Sequence, residues 1–218
     1  MGFSHVATAF GLGIALGVSP GPVQILLLTE AARGGVGRGF RAMLGANGTF
    51  LVLLLLLAAG VTALSPGPTA IRVLEVVGGA FLLLVALDAA RGVIRGDDVR
   101  KAEAAAERAR DARARGAAML AHPTTRGVVA VLLNPGSWLF LATTGSALIA
   151  SAAEDGRAVA IVTAIALMVG VSVMDGITVL LGGGSSLLTG RAGRWIRLGL
   201  TILLGAIGVV FVVRGIRG

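Results

Sequence analysis

Six apolar runs, at about residues 6–28, 43–64, 71–94, 127–150, 158–181 and 196–213, approach or exceed the roughly 20 residues a helix needs to cross a bilayer. No water-soluble core absorbs six such runs in a chain of 218 residues that is 56% hydrophobic and 14% charged, with a mean hydropathy of +0.91. Within lipid each backbone N–H and C=O must be satisfied inside the protein, and for separate runs of this length the helix is the solution. The chain therefore reads as an all-α polytopic membrane protein with six transmembrane helices.

Charge sets the expected orientation. No Lys or Arg precedes the first run, whereas Arg33, Arg38 and Arg41 follow it, so this run is a span with its N-terminal end outside and not a cleavable signal. Both termini then lie outside. The inner segments hold three basic residues after span one, nine between Arg91 and Arg126, and three (Arg191, Arg194, Arg197) after span five, leaving four of the 19 outside. The net charge of +8 is thus a topology signal and does not point to nucleic acid. There is no cysteine, and His5 and His122 fall outside the spans. That argues against disulfide exchange, thiolate metal sites and haem, and no metal or cofactor is expected. An enzyme would need a nucleophile and a base, and no span supplies His, Cys or Lys.

The stretch 95–126 is the one long polar segment. Its Ala, Arg and Glu content, with Asp97/Lys101 and Asp111/Arg115 at i,i+4 spacing, predicts a solvated helical connector. It separates a first three-span half, 1–94, from a second, 127–218. With an odd number of spans in each, the second half enters the membrane upside down relative to the first, which gives two inverted three-helix repeats.

Span one contains Ser19-Pro20-Gly21-Pro22. Prolines lack an N–H and clash with the preceding turn, so the carbonyls of Leu16 and Val18 should lose their helical partners, which is tolerable only against protein, a wet cavity or a ligand. The same tetrapeptide at 65–68 precedes span three, where it is an ordinary helix start, with Ser as cap and Pro in the first turn. Inside span one it implies a new half-helix beginning in the membrane. Asn134-Pro135-Gly136 repeats the pattern in span four, and two buried helix N-termini can receive an anion such as a carboxylate. Gln24 and Asn47, uncharged and near the first break, are further candidates for binding substrate. Gly13, Gly17 and Gly21 line one face of span one and invite close helix packing.

The Pro-Gly-Pro of span one, the stretch from Gly37-Arg38-Gly39-Phe40-Arg41 to Gly45-Ala46-Asn47-Gly48, and the Asn-Pro of span four resemble the LysE/RhtB family. These are lysine, homoserine and threonine exporters of bacterial inner membranes. Thr49, Phe81 and Gly136 stand where members often carry an acidic residue, a Tyr and a Lys. The resemblance implies an inner-membrane secondary transporter that exports amino acids or similar small zwitterions and is compatible with a homodimer. The alternatives are a metal-ion exporter of the same superfamily, which would need more oxygen ligands than the spans supply, and a non-transporting assembly subunit.

Coupling to a proton gradient points to Asp175, the one ionisable residue deep in span five. Removal from water penalises its charged form, which fits a carboxylate that binds and releases a proton. Asp88 is a second candidate, with Arg91 at i+3 as its expected partner. Glu30 and Glu75, near helix ends, are expected to meet solvent. Trp195, beside Arg194 and Arg197, reads as an interfacial anchor.

Overall fold

The computed structural model describes residues 2–19, 21–60, 67–94, 122–187 and 191–217. These form helices α1 (Gly2–Val18), α2 (Pro22–Gly34), α3 (Val36–Ala58), α4 (Pro68–Ile94), α5 (Pro123–Leu132), α6 (Pro135–Phe140), α7 (Ser146–Glu154), α8 (Arg157–Leu187) and α9 (Arg191–Arg217), with a π-helical turn, Leu141–Gly145, joining α6 to α7. No strand occurs among the described residues. Among the described residues five segments are long and apolar enough to cross a membrane, and α1 with α2, bent by 63° at the break between them, make a sixth if the pair is counted as one span. Large apolar side chains such as Leu44, Leu181 and Ile216 project outward, about 70% exposed. In water such a surface is a liability; in lipid it is what a spanning helix requires. The chain is a multi-pass α-helical membrane protein.

Helix α2 lies in the interior, with Leu26, Leu27, Glu30 and Ala31 fully buried. It meets α3 at a single residue, Gly35, whose φ of 78° is left-handed and open to glycine without strain. Arg33, Arg38 and Arg41, expected in a loop, instead sit on α2 and α3, because the connection between those helices is one residue long. The fourth membrane-length segment, Pro135–Glu154, begins later than its apolar run; the residues before it form the separate helix α5, with Pro123 in its first turn, where the missing N–H is not needed, and Arg126 helical and buried. The Ser65 cap and the 95–121 part of the connector lie outside the described residues. Pro68 does open α4.

Helix contacts are reciprocal. α1 packs along α8, as α5 packs along α3, and α4 packs along α9. Glycines mark each crossing. On α1 and α8, a Cβ at Gly13 would strike the carbonyl of Leu167, and one at Gly170 that of Phe10. On α3 and α5, Gly45 faces the Thr124 carbonyl and Gly127 that of Ala42. On α4 and α9, Gly79 and Gly208 face each other's carbonyls, at 2.6 and 2.9 Å from an added Cβ. Backbones approach this closely only where a side chain is missing.

Candidate functional site

The break in span one is made differently from its sequence expectation. The N-cap of α2 is Gly21, extended at φ −125° and ψ 176°, with no side chain capping it. Ser19 does not cap; its own N–H closes the end of α1, donating to the carbonyls of Ala15 and Leu16 at 3.2 Å. The Leu16 carbonyl is therefore not orphaned. The first backbone bond of α2 runs from Ile25 N–H to Gly21 O, 3.1 Å. Pro22 has no N–H, so Val23 and Gln24 are left as first-turn donors without helical acceptors. Pro20 lies outside the described residues.

The second break is closed by its own residues. Asn134 caps α6 as expected, its Oδ1 accepting from Gly136 N–H at 3.0 Å while its Nδ2 donates to Ser137 Oγ at 3.0 Å. Ser137 N–H returns to the Asn134 carbonyl, 3.1 Å. With Pro135 at the first position, this terminus has spent its donors. The Trp138 indole donates to the Leu132 carbonyl, 2.7 Å, taking up a group that Pro135 and the cap leave over. Of the two helix N-termini expected to share an anion, only that of α2 is open.

Both breaks face one cavity of about 250 Å3. Ser19, Gly21, Pro22, Gln24, Asn47, Asn134, Gly136 and Asp175 all line it; Pro135 is buried behind the wall. Residues spread over α2, α3, α6 and α8 thus converge on one small-molecule space, somewhat below the range typical for drug-sized ligands. Asp175 is 1% exposed. Gln24 and Asn47 flank it, Asn47 donates to Ser172 Oγ at 3.1 Å, and Asp175 Oδ1 has no hydrogen-bond partner. A buried carboxylate oxygen left unsatisfied beside a cavity is costly, and a cation or a proton would satisfy it. The rest of the wall is largely apolar, including Phe50, whose ring lies 6.0 Å from that of Phe140, and Phe211.

Asp88 is elsewhere. Its expected neighbour Arg91 is exposed; Asp88 Oδ2 instead accepts from Arg126 Nη2 at 2.6 Å and Arg33 Nη1 at 3.1 Å. Glu30, expected to meet solvent, is fully buried and accepts from Arg38 Nε at 2.6 Å and Arg126 Nη1 at 2.8 Å, with Arg33 at 3.6 Å. These five residues tie the end of α2 to α3, α4 and α5. A partner 96 positions away is invisible to local spacing; the excess of arginines beside one buried glutamate was the available hint. Glu75 is also buried and pairs with Arg214, 3.6 Å. Trp195 is exposed, as an interfacial anchor would be.

A bent helix pair beside a buried polar cavity, set among membrane-length helices, is an arrangement that secondary transporters use. A family model described as LysE type translocator matches residues 14–215. The chain belongs to that family and is a membrane exporter. No curated protein and no solved structure shows significant similarity to it.

Proposed function

We propose that the chain exports amino acids or similar small zwitterions across the bacterial inner membrane by alternating access, coupled to the proton gradient. One observation carries the reading: Asp175, a buried carboxylate with one oxygen left without a hydrogen-bond partner, lines the same cavity as Gly21, Val23 and Gln24 at the start of α2. An α-amino acid presents an ammonium and a carboxylate a few ångströms apart, and the cavity presents their complements, a carboxylate and free N–H groups at a positive helix end. Substrate ammonium and proton would compete for Asp175, so loading one releases the other.

The reciprocal glycine crossings support reading 1–94 and 127–218 as inverted repeats, with α4 and α9 meeting at the axis that relates them. Rocking of one half against the other would then open the cavity to each side in turn. The positive-inside rule supports an orientation with the five-residue ion-pair network on the cytoplasmic side and both termini outside. Asp88 belongs to that network, and coupling falls to Asp175 alone.

Asp175→Asn tests the coupling. Asn keeps the size and much of the hydrogen bonding but cannot titrate, so pH-driven efflux should be lost while exchange of labelled for unlabelled substrate persists. Normal pH-driven efflux from this variant removes Asp175 from the mechanism.

A further inference from the structure

We infer that the transported molecule is a zwitterion with an uncharged, apolar side chain. This rests on the export reading above and narrows it from the charge inventory of the cavity. Among the residues that line the cavity, Asp175 is the sole ionisable one. The Asp175 carboxylate answers one ammonium, and the Val23 and Gln24 N–H groups at the start of α2 answer one carboxylate. Nothing is left for a second charge.

The remaining wall continues the argument. Beyond the polar end formed by Gln24, Asn47 and Asp175, it presents mainly Leu16, Val131, Phe50, Phe140 and Phe211, while the Asn134 amide there is spent on Ser137 and Gly136. A lysine or arginine side chain directed there would leave its cation desolvated against hydrocarbon, with no counter-charge. The phenylalanine faces offset only part of that loss. A second carboxylate, as in glutamate, would meet no cation on the wall, only the neutral groups of Ser19, Asn134 and Ser137, and would repel Asp175. A leucine or methionine side chain instead gains by leaving water for this surface. The substrate's charged ends are thus read at α2 and α8, and its side chain at the phenylalanines.

Purified protein in proteoliposomes preloaded with labelled leucine, methionine, lysine or glutamate decides the matter by exchange against the same unlabelled amino acid. Leucine and methionine should exchange faster than lysine and glutamate by more than about tenfold, the scale set by an unpaired charge in the membrane interior. Phe211→Asp, which adds a carboxylate to the apolar wall, should raise the lysine-to-leucine ratio by about tenfold or more. Lysine or glutamate exchanging as fast as leucine in the wild-type protein overturns this inference and leaves the export reading standing. Absence of exchange for every amino acid overturns both.

Discussion

Replacing Arg126 with Met should destabilise the protein by about 3 kcal/mol, and the figure follows from how unequally its two carboxylates are exposed. Arg126 is 92% buried as a side chain, and it bonds Glu30, which is wholly buried, at 2.8 Å and Asp88, whose side chain is 45% exposed, at 2.6 Å. Removing one partner of a buried pair costs about 3–5 kcal/mol, because the other charge is stranded. Glu30 keeps Arg38 at 2.6 Å, which places the loss near the lower end. Asp88 keeps Arg33 at 3.1 Å, and solvent screening limits its share to less than about 1 kcal/mol. The assay is unfolding of the purified protein in mixed micelles with increasing denaturing detergent. Arg126→Met and Glu30→Met together should cost well below the sum of the two single changes, since removing both members leaves no orphan charge, with a coupling of about 1–3 kcal/mol. A coupling near zero, or an Arg126→Met variant as stable as the wild type, would refute the view that this network holds the helix ends.

Within the same network, Glu30→Gln should be more damaging than Asp88→Asn, because Glu30 answers the arginines where water cannot; the same unfolding measurement ranks them. Gly79→Ala would put a Cβ 2.6 Å from the Gly208 carbonyl and force α4 from α9, costing about 1–3 kcal/mol as overpacking does, whereas Gly48→Ala, with open space around it, should be nearly neutral in that assay. Cysteines introduced singly at Gly116 and Gly218 report topology: in intact cells an impermeant thiol reagent should label the second and not the first, and the opposite pattern overturns the orientation.

The spans were legible in the sequence because lipid imposes one backbone solution and length alone declares it. The convergence was legible in part: Gln24, Asn47, Asn134 and Asp175 are polar residues that a membrane interior cannot carry without reason, and they line one cavity. What escaped is what depends on partners far along the chain. Glu30 looks like a surface residue until Arg126 is brought against it. Asp88 has a nearer arginine at i+3 but takes two that folding delivers. Nor could spacing reveal that Gly21 rather than Ser19 heads α2, or that Asn134, in capping α6, would use the donor that made that terminus attractive. The glycine crossings were half visible: Gly13 and Gly17 announced a packing face on α1, but Gly170, its counterpart on α8, has meaning only once the two helices meet.

Helix α2, at 13 residues, is a rod about 20 Å long. One end forms the wall of the cavity, and the other holds Glu30 among its arginines. Gly35 then passes directly into α3, so no slack chain separates the rod from the next. Mechanically this is a lever with no play at its far end. A shift of the whole rod along its axis would carry Val23 and Gln24 at one end and Glu30 at the other by the same distance. The ion pairs at Glu30 and the cavity wall at Val23 and Gln24 are thus two ends of one rigid element.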